Sequence, residues 1–429
     1  MLGIELIRED PEKIRKDLQK RGYKEKLAWV DELREKDEEW RKLKQETDRL
    51  KHERNVLTRK IAEKKGEGKD VDDEIQKSKD LLEEIESEEE KKEDLRKEID
   101  GKLMKLPNIL HPSVPQGESD EDNEELYTVG EPKTPGYSLR PHGQVLEELG
   151  VGDFDRAAKV AGHGFVYLKN DLVLLDYAIM NFGLNKLVEK GYELIEPPFM
   201  MKREPYEGTV DLSDFEDVMY KIEGEDLYLI ATSEHPMAAM YKDEILSEDE
   251  LPIKLVGVSP CFRREVGSRG VDTKGLFRMH QFNKVEQFIF SKPEDSWDYH
   301  EELLENTEEL MKELEIPYRV VNVCTGDIGT VAAKKYDIEA WSPRQDKYIE
   351  VISCSNCTDY QARRLNIRMG KVGEEKGKEF VHTLNSTALA TSRTMVAILE
   401  NNQTKDGAVE VPKALRKYMN GKKVIKPRE

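Results

Sequence analysis

Cysteine is scarce in this chain, and long apolar runs are missing from it. Its 429 residues include only four cysteines, and no apolar stretch approaches the roughly 18 residues that a membrane-spanning helix needs. The first ten residues are acidic in part and lack both the apolar core of a secretory signal and the pattern of a transit peptide. We therefore expect a soluble, cytoplasmic protein of a reducing compartment without membrane contact.

Positive charge is also in deficit. The chain has 69 Lys and Arg against 89 Asp and Glu, which gives a net charge of −20. Such a chain should not bind nucleic acid through its overall field, so any contact of that kind needs a local basic patch. Charged and hydrophobic residues each make up 37% of the chain, a balance typical of a protein with an extended, solvated helical element. The length predicts two or more domains.

Two apolar seams at helical spacing follow a short helical lead-in, for which Asp10-Pro11 is a start signal. The first seam predicts a helix of about 35 residues and roughly 50 Å, with apolar side chains at Leu33, Trp40, Leu43, Leu50, Leu57 and Ile61. After a break at Gly66-Glu67-Gly68, the second seam begins at Val71 and ends before Pro107. These seams predict an antiparallel helical hairpin, a coiled coil.

The two helices of this hairpin differ in charge. Residues 41–69 carry eleven Lys or Arg against five Asp or Glu, whereas residues 70–100 carry six against fifteen. Two interpretations remain open. In the first, the two helices have solvated faces of opposite charge that attract each other. In the second, the first helix and the tip of the hairpin present a basic stripe to a nucleic-acid backbone.

Residues 108–140 have the composition of a linker, because prolines flank an acidic run from Glu118 to Glu125. The remaining chain combines helical patterns at 172–190 and 294–314 with short strand patterns between turns. The strand patterns lie at 227–232, 253–258, 287–291, 318–323 and 348–352. We therefore predict an α+β fold, with an antiparallel β-sheet flanked by helices and preceded by the long helical hairpin.

A basic stretch from Val258 to Glu286 lies in the middle of this globular half. Its ends have the pattern of antiparallel strands, and the long loop between them carries Arg263, Arg264, Arg269 and Arg278. An exposed hairpin with salt bridges has this composition. A polyphosphate site has it too, because arginine binds phosphate oxygens in pairs and stays charged. The stretch alone does not decide between them.

The segment Cys354-Ser-Asn-Cys357 has a spacing found in zinc knuckles and in redox pairs. A structural zinc needs about four ligands, and the chain has no second closely spaced cysteine pair. We therefore interpret both residues as structural thiols and expect no zinc.

Four segments occur in a fixed order in the globular half: 183–198, A-T-S-E at 231–234, F-R-R-E at 262–265 and T-L-N-S-T-A-L-A-T-S-R at 383–393. Together they resemble the three signature motifs of class II aminoacyl-tRNA synthetases. The runs H-Q-F-N-K-V-E at 280–286 and E-V-I-S-C-S-N-C at 350–357 resemble seryl-tRNA synthetases in particular. The helical hairpin is similar to that family's tRNA-binding arm, so the resemblance covers nearly the whole chain.

This resemblance implies a domain order and an activity. Residues 1–107 would bind tRNA through an arm at about 30–104, residues 108–140 would be a Pro-rich acidic linker, and residues 141–429 would form the class II catalytic domain. A homodimer would activate L-serine with ATP and Mg²⁺ to seryl-adenylate and transfer serine to the 3′ end of tRNA(Ser). It would also serylate tRNA(Sec) where that tRNA exists.

The resemblance also assigns roles around ATP. The expected catalytic residues are Arg263, Glu265 and Arg393. Arg263 would bridge the α-phosphate and the serine carboxylate, and Glu265 would hold the adenine amino group. Phe282 and Arg393 would sandwich the adenine ring, while Glu350 and Ser353 would hold Mg²⁺. The full implied ATP set is Arg263, Arg264, Glu265, Arg269, Arg278, Met279, Phe282, Glu350, Val351, Ile352, Ser353 and Arg393.

Serine would be recognised by polar side chains that pair its ammonium and hydroxyl groups, with Glu286 able to contact both. The implied serine set is Thr232, Ser233, Glu234, Arg263, Glu286, Asn385 and Thr387. The implied tRNA contacts of the arm are Lys51, Arg54, Arg59, Lys60, Lys64 and Lys65. Two other hypotheses are a coiled-coil RNA-binding or scaffolding protein that has lost catalysis, and a truncated-type homologue that charges a carrier protein. The first should have lost key site residues, all of which are present, and the second lacks a long arm.

Overall fold

The computed structural model describes residues 1–265, 275–371 and 379–427, with Ser213 and Asp214 described by their backbone alone. Residues Met1–Ile109 and Leu110–Glu429 form two compact units. No helix in the described part of the chain is both long and apolar enough to span a membrane.

The first unit is helical. Asp10 caps the second helix by accepting a hydrogen bond from the Lys13 N–H, and Pro11 occupies its first turn, as the start signal predicted. The helices of this unit are α1 Ile4–Glu9, α2 Pro11–Lys20, α3 Leu27–Gly66 and α4 Asp72–Leu103, with a short 3-10 helix at Lys24–Lys26.

Helices α3 and α4 pair through the predicted seams, which bury Leu33 and Leu50 on α3 and Ile85 and Ile99 on α4. The predicted hairpin is therefore confirmed.

The second unit is built around a large mixed sheet. Its helices are α5 His142–Glu148, α6 Phe154–Ala161, α7 Asp171–Glu189, α8 Arg203–Thr209, α9 Leu212–Phe215, α10 Glu234–Ala238, α11 Ser296–Glu313, α12 Tyr360–Leu365 and α13 Thr391–Asn401. Short 3-10 helices lie at Asp120–Asp122, Glu216–Val218, Pro293–Asp295 and Lys413–Met419.

The strands of this unit are mostly short outside the main sheet. They are β1 Glu124–Val129, β2 Gly152–Asp153, β3 Tyr167–Leu168, β4 Glu193–Ile195, β5 Met200–Met201, β6 Tyr228–Leu229, β7 Ile245–Ser247, β8 Ile253–Phe262, β9 Gln281–Ser291, β10 Tyr318–Asn322, β11 Lys334–Ser342, β12 Lys347–Asn356, β13 Arg368–Gly370, β14 Glu379–Phe380, β15 His382–Ala390, β16 Val409–Glu410 and β17 Val424–Ile425.

The main sheet of the described residues has the strand order β1-β10-β11-β12-β15-β9-β8-β4, antiparallel except where β4 joins β8. The predicted α+β fold with an antiparallel sheet is therefore confirmed. Strands β8 and β9 pair from Ile253 opposite Phe290 to Phe262 opposite Gln281, as the basic hairpin predicted.

Alternation along β9 separates two faces of this sheet. Gln287 points to the helical face, where its side chain donates to Thr307 of α11 at 3.0 Å, and Val285 belongs to the core that includes α7. Phe282 and Glu286 point to the other face and line a cavity. The helices thus support the sheet from behind, while the opposite face is left for a site.

The segment 108–140, predicted as a linker, contains regular structure. Residues from Leu110 onward belong to the second unit, and 124–129 form β1, an edge strand antiparallel to β10. Its side chains are almost all exposed. An edge strand exposed on both faces has the polar composition of a linker, so its sequence does not distinguish the two.

Candidate functional site

A cavity of about 390 Å³ opens on the face of the sheet opposite α7 and α11. Its walls combine segments far apart in the chain: the start of α10, the end of the β8–β9 hairpin, β12, β15 and the start of α13. Of the residues expected in the site, those that line the cavity are Thr232, Glu234, Arg263, Glu265, Met279, Phe282, Glu286, Glu350, Val351, Ser353, Asn385, Thr387 and Arg393.

Four other expected residues lie off the cavity wall. Ser233 is fully buried, and Ile352 is buried between Val351 and Ser353, which both line the cavity. Arg264 is fixed by its backbone N–H, which donates to the Val218 carbonyl at 2.9 Å. Arg278 extends into solvent, 3.9 Å from a Glu265 carboxylate oxygen. The remaining expected residue, Arg269, lies outside the described residues.

Glu286 is the centre of a compact polar group at one end of the cavity. Its Oε2 lies 2.6 Å from Nζ of Lys284 and accepts a hydrogen bond from Oγ1 of Thr387 at 3.2 Å. The sheet register explains the contact between Thr387 and Glu286, because Thr387 of β15 is the direct partner of Glu286 in the sheet. Lys284 is two residues away on the same face of β9.

Glu234 approaches this group from α10. Its Oε1 accepts hydrogen bonds from the side-chain amides of Gln361 at 3.1 Å and Asn385 at 3.2 Å. Burial raises the pKa of Glu234 to about 7, and repulsion by Glu286 adds to the rise. The site therefore holds two carboxylates whose charges are offset by amide donors and by nearby cationic side chains.

Replacing Glu234 with glutamine should stabilise the protein while impairing the site. A folded-state pKa of about 7, above the ordinary value of 4.5, means that the charged carboxylate opposes folding above pH 7 and that this cost disappears as the pH falls towards 4.5. Glutamine keeps an oxygen for both amide donors. We expect Glu234→Gln to raise the free energy of unfolding in urea by about 2 kcal/mol at pH 8 and by almost nothing at pH 4.5. An equal gain in the free energy of unfolding at both pH values would show that the raised pKa of Glu234 is not its cause.

Two arginines also line the cavity. The Arg263 guanidinium lies 5.3 Å from the centre of the Phe282 ring, and its Nε donates to the Ala231 carbonyl at 3.3 Å. The Arg393 guanidinium lies 5.0 Å from the centre of the Phe277 ring and 3.0 Å from a carboxylate oxygen of Glu350. Each arginine is therefore oriented by an aromatic face before any ligand binds.

The sequence analysis assigned no role to several wall residues, and Lys284 and Phe277 are among them. Strand alternation could have found Lys284, because it lies between Phe282 and Glu286 at spacings of two residues. Phe277 lies in the loop before β9, where alternation gives no information.

The cysteine pair is buried, Cys357 belongs to the cavity wall, and neither residue forms a disulfide among the described residues. Burial raises the pKa values of Cys354 and Cys357 above the ordinary thiol range, and the Asn385 side-chain amide donates to Cys357 Sγ at 3.7 Å. Within residues 1–265, 275–371 and 379–427, no group of three or more His, Cys, Asp or Glu side chains is arranged to hold a metal ion. The absence of zinc remains a prediction.

Comparison with known proteins identifies both units. Residues 1–110 match the seryl-tRNA synthetase N-terminal domain, and residues 217–402 match the tRNA synthetase class II core domain (G, H, P, S and T). A serine–tRNA ligase of Methanoculleus marisnigri is 55% identical over 99% of this chain and 100% of its own length. The chain belongs to the seryl-tRNA synthetase family. The serine–tRNA ligase of Pyrococcus furiosus is 54% identical over 99% of this chain and 98% of its own length.

Solved seryl-tRNA synthetases have the same architecture. The Pyrococcus horikoshii enzyme, in a crystal structure complexed with ATP, is 51% identical and superposes with a TM-score of 0.93 over 100% of both chains. The cytoplasmic serine–tRNA ligase of Naegleria fowleri, in complex with AMP, is 38% identical, with a TM-score of 0.88 over 100% of this chain and 99% of that one. The predicted family, fold and enzyme class, a ligase that joins serine to tRNA, are therefore confirmed.

Proposed function

We propose that the cavity is where this seryl-tRNA synthetase activates L-serine with ATP. The observation that carries the proposal is that one cavity is lined by Arg263, Glu286 and Arg393, which belong to three different sequence motifs. A phosphate-binding cation, a substrate-binding carboxylate and a second cation are what adenylate formation needs at short range.

The reaction needs positioning more than acid–base catalysis. The serine carboxylate is ionised at neutral pH and attacks the α-phosphorus of ATP in line, so that a carboxyl–phosphorus bond forms and the bond to pyrophosphate breaks. Arg263 binds the serine carboxylate and the α-phosphate together and neutralises charge in the transition state. In the second step the terminal tRNA hydroxyl attacks the carbonyl carbon, and AMP leaves.

The nucleotide lies along the part of the cavity wall formed by β12 and the start of α13 in this proposal. Phe282 and Arg393 enclose the adenine ring, the Met279 backbone and Glu265 contact its edge, and Arg278 and Arg269 meet the outer phosphates. Mg²⁺ would be held by Glu350 and Ser353, whose oxygens suit a hard cation and which line the same wall. When bound, Mg²⁺ supplies further neutralisation of phosphate charge.

Serine lies at the Glu286 end. Thr232 and Glu234 receive its ammonium group, and Thr387 and Glu286 receive its hydroxyl, with Asn385 orienting Glu234. Alanine would leave the groups around the hydroxyl unpaired, which gives strong discrimination against it.

The first unit binds tRNA through the basic side of α3. Two of its lysines form ion pairs with α4: Lys51 pairs with Glu89 at 2.6 Å, and Lys64 pairs with Glu74. The other expected contacts make no ion pair within 4.0 Å among described residues and remain available for phosphates; they are Arg54, Arg59, Lys60 and Lys65.

We also infer that the enzyme is a homodimer with the 183–198 motif at its interface, and that tRNA(Sec) is a further substrate where it exists. A solution mass of twice the 49.6 kDa chain is expected from sedimentation. A monomeric mass would refute the dimer.

Pyrophosphate exchange tests the proposed reaction. Purified protein should exchange labelled pyrophosphate into ATP only when serine and Mg²⁺ are both present, and alanine should not replace serine. The first step needs no tRNA, so exchange isolates the cavity from the arm. Exchange that is independent of serine, or absent under these conditions, would overturn the assignment.

A further inference from the structure

Lys284 is a buried cation inside the cavity to which the reaction scheme gives no role. It is 5% exposed, and lysine is almost never buried to this extent without a partner. Its neighbours across the sheet are Ser259 of β8 and Ala390 of β15, neither of which carries charge. Its ion-pair partner is Glu286, at 2.6 Å.

The two oxygens of Glu286 have different surroundings. Oε2 receives both Lys284 Nζ and Thr387 Oγ1, whereas no group of the described residues donates a hydrogen bond to Oε1. Glu286 is only 1% exposed, yet it lines the cavity. A carboxylate fixed through one oxygen presents the other in a defined direction.

Glu234 places a second carboxylate in the same cavity as Glu286. It faces the same end of the cavity, and repulsion between it and Glu286 is strong enough to contribute to the raised pKa of Glu234. Two carboxylates in one small cavity tend to turn away from each other unless a cation lies close to them. Lys284 supplies that charge from within the sheet.

We propose that Lys284 is a positioning residue for serine selection, which holds Glu286 through Oε2 so that Oε1 is the acceptor for the substrate. This inference rests on the proposed role of Glu286 in serine binding. As a consequence, the enzyme discriminates serine from alanine through the Glu286 carboxylate, whose rotation is fixed by Lys284. Without Lys284, Glu286 can turn, and the hydroxyl loses an oriented acceptor.

The variant Lys284→Met keeps most of the side-chain volume and removes the donor. In pyrophosphate exchange we expect kcat/KM for serine to fall at least tenfold, with KM for ATP changed less than twofold. The ratio of kcat/KM for serine to that for alanine should also fall at least tenfold. Lys284→Arg, which keeps the charge and donor, should recover part of both losses.

A matched control is Lys254→Met. Lys254 is a half-buried lysine of the same sheet that pairs with Glu302 at 2.7 Å, and it is not part of the cavity wall. Its replacement should leave kcat/KM for serine and the serine-to-alanine ratio within twofold of the parent. An equal loss in both lysine variants would point to sheet integrity and would overturn the proposal.

Coupling with Glu286 decides whether Lys284 acts through it. In a Glu286→Gln background, Lys284→Met should change kcat/KM for serine less than twofold further, because the group that Lys284 orients is already altered. The double variant removes both members of the Lys284–Glu286 ion pair, so it does not leave the charge of Glu286 without its lysine and remains testable if Lys284→Met alone fails to fold. Thermal unfolding of each variant reports on folding.

These measurements distinguish a failure of the positioning role of Lys284 from a failure of the proposed serine site. If Glu286→Gln impairs serine use but folded Lys284→Met does not, the positioning role is refuted and the proposed function stands. If Glu286→Gln itself leaves serine kinetics unchanged, the proposed serine site is refuted. Independent, multiplicative losses in the double variant would also refute action through Glu286.

Discussion

Arg263→Ala should lower kcat/KM for serine-dependent pyrophosphate exchange by about 10²–10³-fold, the cost typical of removing one preorganised donor from a developing charge. The guanidinium is held by the Phe282 ring at 5.3 Å and by the Ala231 carbonyl at 3.3 Å. It is therefore in place before ATP and serine arrive, and little reorganisation is needed in the transition state. Because the contact strengthens as charge develops, the loss should appear mainly in kcat.

Two further variants make this expectation specific. Arg263→Lys keeps the charge but not the paired donors of the guanidinium, so it should fall between the parent and the alanine variant. Arg319→Ala removes a half-buried arginine of β10 that pairs with Glu339 at 2.7 Å, outside the cavity wall, and should leave exchange nearly unchanged. Exchange by Arg263→Ala within threefold of the parent would remove Arg263 from the proposed mechanism.

The sequence carried most of the information about which residues meet in the cavity. The resemblance carried by the run ending in Glu286 and by the segments ending in Glu234, Glu265 and Arg393 anticipated its main groups. Lys284 was missed because a lysine in a strand is usually solvated, whereas here it lies between Ser259 and Ala390 of the two neighbouring strands and is buried in an ion pair with Glu286.

Other features depend on contacts between distant segments, which local patterns do not contain. Gly257 is the direct partner of Glu286 in the sheet, and a Cβ atom there would lie 2.7 Å from the Met237 sulfur of α10. The missing side chain lets α10 approach the sheet, which carries Glu234 towards Glu286. A glycine inside a strand pattern signals close approach, but the pattern does not say which segment approaches.

Shortening the arm should separate the two steps of the reaction. We expect removal of residues 35–95, with the ends joined by a short glycine turn, to leave serine-dependent exchange within twofold and to lower aminoacylation of tRNA(Ser) at least 100-fold. The second unit has its own apolar cores and so should fold without the removed segment. The base of the hairpin keeps the buried residues Leu33, Ile99 and Leu103, while the proposed phosphate contacts of α3 are lost.

A charge variant then distinguishes loss of contacts from loss of the helices. Arg54→Gln, Arg59→Gln, Lys60→Gln and Lys65→Gln together keep helix-forming side chains and leave the ion pairs of Lys51 and Lys64 in place. If these four side chains bind phosphates, kcat/KM for tRNA should fall steeply and depend less on salt, because each lost contact removes about one released counterion. Exchange should stay at the parent level in this variant. Equal loss of exchange and aminoacylation in either variant would contradict the division of labour, and an unchanged salt dependence would mean that tRNA binds the arm elsewhere.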